Sequence, residues 1–206
     1  MGIDRRRLAS ILRGLQPEDE SELQSLQRTQ VLLADGDRPF DRSSLPGHIT
    51  ASAFVFSSPP HHLLLIQHPT LSRWLQPGGH IEADDASVLQ AAIGEVDQET
   101  GLADLLSPLG EAPFDVQVQD IPATTSMPAH QHHDIRMLLT FEGRSEIRVR
   151  NEVLAASWFA IGALRTCGIG EDILKAVDKA QRVLGHLPQG QRWVSAKYFG
   201  AEAQPR

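Results

Sequence analysis

Acidic side chains recur at helical spacing after a pair of glycines, in the stretch PGGHIEADDASVLQAAIGEVDQETGL. Glu95 and Glu99 are one helical turn apart, which places both carboxylates on the same arc of a helix. Two like charges at this spacing repel each other, whereas Mg²⁺ or Mn²⁺ between them makes the pair favourable because these ions prefer oxygen ligands. The spacing alone is typical of a solvated acidic helix face, and a site for Mg²⁺ or Mn²⁺ that clamps a pyrophosphate substrate is the alternative interpretation.

The sequence around these acids predicts the helix that carries them. Asp85 or Ser87 is suited to cap its beginning, and Gly101 is suited to end it. One face would be apolar and the adjoining arc would present oxygen atoms, from Gln98 as well as from the two glutamates. The apolar face would comprise Leu89, Ala92, Ile93 and Val96. Before the helix, Gly78 and Gly79 could bring backbone close to a phosphate or a metal, or could only shape a turn.

A second group of chemically capable residues lies in PAHQHHDIRMLLTF. If this segment is a strand, alternate residues share a face, so imidazole, carboxylate and guanidinium groups come together on one side. They could contact substrate phosphates, supply a general base or add a metal ligand, and a polar outer face of a sheet is the alternative. This face would carry His130, His132, Asp134 and Arg136, opposite His133, Ile135 and Met137.

We expect His132 and Asp134 to face the same cleft as Glu99, so that their alanine variants lose turnover or ligand affinity rather than stability. A different hypothesis makes His130, His132 and Asp134 the principal site of a metallohydrolase. That hypothesis needs further ligands, which the sequence does not locate.

Several elements must position these residues. The segment Asp4 to Ala34 is predicted to form two helices broken at Pro17, with apolar stripes that cover either the following domain or a second subunit. These stripes comprise Leu8, Ile11, Leu12 and Leu15, then Leu23, Leu26, Val31 and Leu32. A homodimer through these helices is one expectation. A loop rich in Asp, Gly, Pro and Ser follows, so residues 1–47 are predicted to be an extension and residues 48–206 the main domain.

The main domain begins with two short β-favouring runs, HITASAFVF and HHLLLIQH, on either side of SSPP. They predict a strand pair joined by a turn. With 206 residues and 41% apolar content, the chain suits one globular domain plus an extension.

Composition excludes several classes of protein. A formal net charge of -7 argues against nucleic acid or an anionic membrane as the main partner. The single cysteine, Cys167, cannot form an internal disulfide, and no apolar run approaches the 18 residues of a membrane span. The N-terminus lacks the apolar run of a secretion signal, so a cytoplasmic location is expected.

The glycine-to-helix stretch resembles the Nudix box, G-x5-E-x7-R-E-U-x-E-E-x-G-U, where U is a bulky aliphatic residue. Counted back from Gly101, Glu99 matches the last acid and Gln98 the acid before it. Glu95 then matches the acid after the arginine, and Gly94 falls on the arginine itself.

The beginning of the box matches less closely. Gly79 and Asp85 match its leading glycine and first acid, but the spacing from Asp85 to Gly94 is one residue longer than the consensus. The resemblance extends from His48 to about Gly185, because SWFAIGAL is similar to the Trp-Phe segment that often precedes the last helix of the family.

This resemblance implies an α/β/α sandwich around a mixed sheet. It also implies hydrolysis of a nucleoside diphosphate linked to another moiety, with Mg²⁺ or Mn²⁺ and a water nucleophile. Glu95 and Glu99 would be ligands or, for one of them, the base, and Gln98 and a backbone carbonyl at Gly79 would complete the site. Asp85, Glu82 and the polar strand residues His130, His132, Asp134 and Arg136 are accessory or substrate-binding candidates.

Two departures from the box bear on activity. Gly94 removes the guanidinium that orients the neighbouring carboxylates in the family, and Gln98 keeps an oxygen ligand but loses a negative charge. The alternative function is therefore a Nudix domain that has lost turnover and binds a nucleotide or a protein partner.

Overall fold

The computed structural model describes residues 2–125, 127–143, 146–149, 153–187 and 194–195. Its helices are α1 (Arg5–Leu12), α2 (Glu20–Asp35), α3 (Val88–Thr100) and α4 (Glu171–His186), with a 3-10 helix at Ile161–Thr166. The strands in chain order are β1 (Gly47–Ser57), β2 (His62–Gln67), β3 (Trp74–Leu75), β4 (Gly78–His80), β5 (Leu105–Ser107), β6 (Asp115–Ile121), β7 (His130–Phe141), β8 (Ala155–Ala160) and β9 (Val194–Ser195). Within the described residues, no helix is long and apolar enough to cross a bilayer.

The strands form one mixed sheet, in which the neighbours β1 and β7 run parallel with His48 opposite His132. The strand order is β3-β2-β1-β7-β5-β9, and β4, β6 and β8 pair with β1, β7 and β2 respectively. The predicted pair around SSPP is confirmed, because β1 and β2 are antiparallel neighbours. Parallel pairing of β1 and β7 brings together residues that are 84 positions apart, such as Gly47 and Gln131, and the intervening chain supplies the crossover that such a pair requires.

Helices cover both faces of this sheet. Ile135 and Met137 of β7 belong to the same apolar cluster as Leu89 and Val96 of α3. Leu138, on the alternate side of β7, belongs to a second cluster together with apolar residues of α4. Because side chains alternate along a strand, α3 and α4 lie on opposite faces. The predicted α/β/α sandwich around a mixed sheet is confirmed.

The predicted N-terminal helix pair is present, with a break that contains Pro17. The second helix begins after that proline, at a cap formed by Asp19, whose side chain accepts a hydrogen bond from the amide of Glu22. Leu8, Leu12 and two leucines of α2, Leu26 and Leu33, are buried in the cluster that contains α3.

The N-terminal stripe therefore covers the sheet of its own chain, which is the first of the two predicted alternatives. The prediction that Val31 belongs to this buried stripe is wrong, because Val31 is 60% exposed. Helix α2 turns Thr29 and Leu33 inward instead, so its buried face lies slightly aside from the purely apolar stripe. The hydroxyl of Thr29 is hydrogen-bonded to Nδ1 of His133, which explains why a polar residue is tolerated in this interface.

Candidate functional site

The helix α3 is fixed at both ends by the residue types expected there. Ser87 caps its beginning, since the Ser87 hydroxyl accepts a hydrogen bond of 3.1 Å from the amide of Gln90. Asp85 does not cap the helix, because its carboxylate instead accepts a 2.8 Å hydrogen bond from the amide of Glu82 in the preceding loop. Gly101 ends the helix in the left-handed conformation, with φ of 72°.

Both glutamates of α3 lie against the glycine pair of β4. The amide of Gly78 donates a hydrogen bond of 3.2 Å to Oε2 of Glu99. A Cβ atom added to Gly79 would lie 2.7 Å from the carboxyl carbon of Glu95, so the missing side chain is what admits this carboxylate. The glycines are held in place because Gly78 and Gly79 pair with Ser52 and Ala51 of β1.

The carboxylates of Glu95 and Glu99 lie in surroundings that disfavour their charged forms. Burial, together with the negative charge of Glu95, raises the pKa of Glu99 to about 8. Burial also raises the pKa of Glu95 to about 7, with added repulsion from Asp85 and Glu82. In the part of the chain that the structure describes, no Lys, Arg or His forms an ion pair with Glu95 or Glu99. A bound cation would relieve both the burial cost and the mutual repulsion.

The remaining predicted box residues occupy the margin of this site. Gln98 is exposed, and Asp85 is half-buried beside the exposed Glu82. At Gly94, a Cβ atom would meet nothing closer than Nε2 of Gln98 at 4.0 Å. The position where the family box has arginine therefore has room for a side chain in this protein.

The polar residues of β7 lie on the other face of the sheet. Ile135 and Met137 point toward α3, so His132, Asp134 and Arg136 point away from it. The strand and its alternation are as predicted. The expectation that His132 and Asp134 share a cleft with Glu99 is wrong, because strand pairing puts the apolar side of β7 under α3.

Asp134 and Arg136 belong to a buried polar network. Asp134 accepts hydrogen bonds from the Ser52 hydroxyl at 2.7 Å and from the Gln76 amide at 3.2 Å. Arg136 contacts Asp134 at 3.5 Å and donates to Asp115 at 2.9 Å. Because both charges are buried and partnered within the chain, this network holds β1, β6 and β7 together.

His130 and His132 join two further histidines that the sequence did not single out, His48 and His80. The ring centroid of His48 lies 4.8 Å from that of His132 and 5.2 Å from that of His130. Burial lowers the pKa of His80 to about 4 and that of His132 to about 3, so these rings are neutral near pH 7. The role of His48 follows from the pairing of β1 with β7, which places His48 opposite His132. Sequence periodicity does not show which strands pair, so the sequence alone did not identify His48.

Comparison with known proteins agrees with this architecture. The family model of the NUDIX domain matches residues 46–180, which is more than half of the chain. The chain belongs to the NUDIX domain family. The match begins at the start of β1 and ends within α4, so both layers of helices around the NUDIX sheet contribute to it.

Individual proteins match this NUDIX domain over part of the chain or at low sequence identity. A probable DHNTP pyrophosphohydrolase of Lactococcus lactis subsp. cremoris is 38% identical over 96 residues, which are 46% of this chain and 54% of that protein. The match thus spans about half the length of this curated relative. A NUDIX family hydrolase from Clostridium perfringens superposes with a TM-score of 0.50 at 26% identity, over 66% of this chain and 97% of the other. An Ap4A hydrolase of C. elegans superposes with a TM-score of 0.52 at 15% identity, over 66% of this chain and 97% of the other. At this identity the match shows a shared fold only.

Proposed function

We propose that this NUDIX domain is a metal-dependent pyrophosphohydrolase that cleaves a nucleoside diphosphate linked to another moiety, with water as the nucleophile. The observation that supports this proposal most directly is the placement of Glu95 and Glu99 against the Gly78–Gly79 pair. Family membership and the pyrophosphohydrolase name of the Lactococcus relative point to the same class of reaction.

The donor set fits Mg²⁺ or Mn²⁺. Two carboxylates without a positive partner among the described residues offer the oxygen ligands that these ions prefer. Glu95 and Glu99 would hold the ion, and the carbonyl of Gly79 and the amide oxygen of Gln98 are the additional ligands that we propose. When bound, such an ion stabilises charge that develops on phosphate oxygens and makes a bound water more acidic.

Glu95 is the residue that we assign as general base. Burial raises its pKa to about 7 in the metal-free chain, and a nearby cation would favour its ionised form, which is the form that accepts a proton from water. Its oxygens accept no hydrogen bond from the described residues, whereas Glu99 is held by the Gly78 amide. Glu99 therefore serves as the more fixed ligand, and Asp85 and Glu82 add negative charge around Glu95.

A product assay over a panel of diphosphates tests this function. The panel contains nucleoside diphosphate derivatives and also DHNTP, the triphosphate in the name of the Lactococcus relative, each with Mg²⁺ and with Mn²⁺. We expect turnover of at least one compound by the full chain, and a loss of about 100-fold or more in Glu95→Gln and in Glu99→Gln. The control is Glu20→Gln, which removes a carboxylate from the exposed face of α2 and should leave turnover unchanged. Equal turnover in all four proteins would reject the assignment.

A binding module is the second candidate function. It is favoured by the exposed Gln98, which replaces an acid of the box, and by Gly94, which replaces its arginine. Absence of product across the panel, together with saturable binding of a nucleotide to the folded chain, would favour this candidate over the enzyme.

We also propose residues 48–206 as the catalytic unit and residues 1–47 as its structural cover. The buried leucines of α1 and α2 support the cover, since they complete the same core as α3. A homodimer through these helices stays a prediction, and light scattering of the purified chain would test it.

A further inference from the structure

A ring nitrogen of His48 is buried without a hydrogen-bond partner. The residue is fully buried, and its Nε2 is one of two buried side-chain atoms without a partner in the described part of the chain. An unpartnered polar atom in the interior destabilises the fold, because it has lost its hydrogen bonds to water, so a protein rarely keeps one without a ligand or a function.

The ring of His48 belongs to a convergent set. Ring nitrogens of His48, His130 and His132 all lie within 4.8 Å of one another. Nε2 of His130 and Nε2 of His132 are 3.1 Å apart. Nitrogens that are each about 2.0 to 2.1 Å from one tetrahedral ion are roughly 3.3 Å apart, so one pair already has the required spacing. A nitrogen of His48 lies within 4.8 Å of this pair, so a movement of the ring toward it would complete a three-nitrogen set.

Backbone carbonyls orient two of the rings. Nδ1 of His130 lies 2.9 Å from the carbonyl oxygen of Pro128, and Nδ1 of His48 lies 3.4 Å from that of Ser44. An Nδ1–H that donates to a carbonyl leaves Nε2 with its lone pair free. This arrangement is the usual support for a metal-binding histidine, because it fixes both the tautomer and the direction of the ring.

We propose that His48, His130 and His132 bind a first-row transition-metal ion such as Zn²⁺. His80 is adjacent, with its ring centroid 5.1 Å from those of His48 and His132, and a rotation of its ring toward the three nitrogens would make it the fourth ligand. Neutral imidazoles suit zinc and its neighbours in the periodic table, whereas Mg²⁺ and Mn²⁺ prefer the carboxylates on the other face. In the metal-free chain one of the two facing Nε2 atoms carries a proton, and this proton moves to Nδ1 of the same ring when the ion binds.

The proposed histidine site is separate from the glutamate site, and an ion bound there would stabilise the fold. Its ligands come from the start of β1, the end of β4 and the start of β7, so an ion would join three strands at one end of the sheet. Binding to the folded state alone stabilises that state, which makes the melting temperature rise with Zn²⁺ concentration.

Calorimetric titration of the metal-free full chain with Zn²⁺, in buffer that contains excess Mg²⁺, tests the site. We expect one Zn²⁺ per chain, and at least 100-fold weaker binding in His132→Asn and in His48→Gln. His62→Gln removes an exposed imidazole outside the cluster and should bind as the wild type does. The double variant Glu95→Gln, Glu99→Gln should also keep full Zn²⁺ affinity, which separates this site from the proposed catalytic one.

X-ray absorption of the zinc-loaded wild type gives a test that needs no variant. We expect a shell with at least three imidazole nitrogens. A shell dominated by oxygen, unchanged Zn²⁺ affinity in folded His48→Gln and His132→Asn proteins, or failure of the wild type to bind Zn²⁺ at micromolar concentration would each overturn the proposal. In the last case the four rings form only a hydrogen-bonded cluster.

Discussion

The amide of Gly78 donates a hydrogen bond of 3.2 Å to the carboxylate of Glu99. This bond joins β4 to the last turn of α3, and β4 is itself paired with β1. The end of the helix is therefore held at a fixed distance from the sheet, and the adjacent Gly79 leaves room for Glu95. Gly78 thus contributes a hydrogen bond from its backbone, whereas Gly79 contributes the space that its missing side chain leaves.

Alanine at Gly79 should impair the site, and alanine at Gly78 should impair the fold. The three atoms nearest to a Cβ at Gly79 all belong to the flexible carboxylate of Glu95, which can move aside, so we expect Mn²⁺ affinity and turnover to fall about tenfold or more with little loss of stability. A Cβ at Gly78 would lie 2.8 Å from the carbonyl oxygen of Ala51, and backbone cannot move so easily. Gly78→Ala should therefore lower the free energy of unfolding by about 1 to 3 kcal/mol. Urea denaturation and Mn²⁺ titration of both variants distinguish the two effects, and equal loss of stability would contradict the prediction.

The metal-free protein should lose stability as the pH rises from 6.5 to 8.5. Glu95 and Glu99 have pKa values raised from 4.5 to about 7 and about 8, so in this range the folded chain keeps protons that the unfolded chain has released. The free energy of unfolding then falls with pH until both groups are ionised. The buried histidines, whose pKa is lowered, contribute in the opposite direction until about one pH unit above 6.5, the ordinary histidine value, and they do so equally in the wild type and in a variant that changes only the glutamates.

Urea denaturation at the two pH values measures this effect. The wild type should lose roughly 2 to 3 kcal/mol more than the Glu95→Gln, Glu99→Gln double variant over this interval. The double variant is the appropriate comparison because Glu22, with a pKa raised to about 7, changes stability equally in both proteins. Saturating Mg²⁺ should abolish the difference, since the ion binds the ionised carboxylates. Parallel pH profiles of the two proteins would show that these groups titrate normally.

Restoring the family pattern should strengthen metal binding. Gln98→Glu adds a carboxylate beside the ion, and Gly94→Arg adds a guanidinium that can orient the acids. The open surroundings of Gly94 remove the steric objection to arginine, at least for its first atom. We expect the Gly94→Arg, Gln98→Glu protein to turn over faster at limiting Mg²⁺, with a smaller gain at saturating Mn²⁺.

Gly94→Ala is the matched control for this double substitution. It removes a glycine from the helix interior and should stabilise the protein by about 0.5 to 1 kcal/mol without a change in Mg²⁺ dependence. A stable, metal-binding double variant that cleaves nothing in the diphosphate panel would favour the binding module over the enzyme.

Removal of the Asp134 carboxylate should destabilise the fold. Asp134→Ala leaves the buried Arg136 with one carboxylate partner fewer and leaves the Ser52 hydroxyl without its acceptor. We expect a loss of about 2 to 3 kcal/mol, measured by urea denaturation. Asp134→Asn, which keeps an acceptor oxygen, should lose less. Asp120→Ala is the exposed control and should change stability by less than about 0.5 kcal/mol. This outcome would reverse the expectation from sequence that Asp134 can be replaced with little loss of stability.

The sequence by itself determined the local features of this protein. Helix α3 ends at Gly101 as predicted and is capped by Ser87, one of the two predicted caps, and the spacing of Glu95 and Glu99 follows from helical geometry alone. The alternation that separates His132 and Asp134 from His133 and Ile135 likewise follows from strand geometry. These features are predictable because each depends on residues only a few positions apart.

Only the tertiary structure decided which face of each strand meets which helix. Periodicity shows that β7 has two different sides, but it does not show that α3 covers the side of Ile135 and Met137. The parallel register of β1 and β7 places His48 opposite His132 although 84 residues separate them in sequence. Such contacts depend on which strands pair, and pairing is determined by burial of the whole sheet between its helices rather than by the local sequence of either strand.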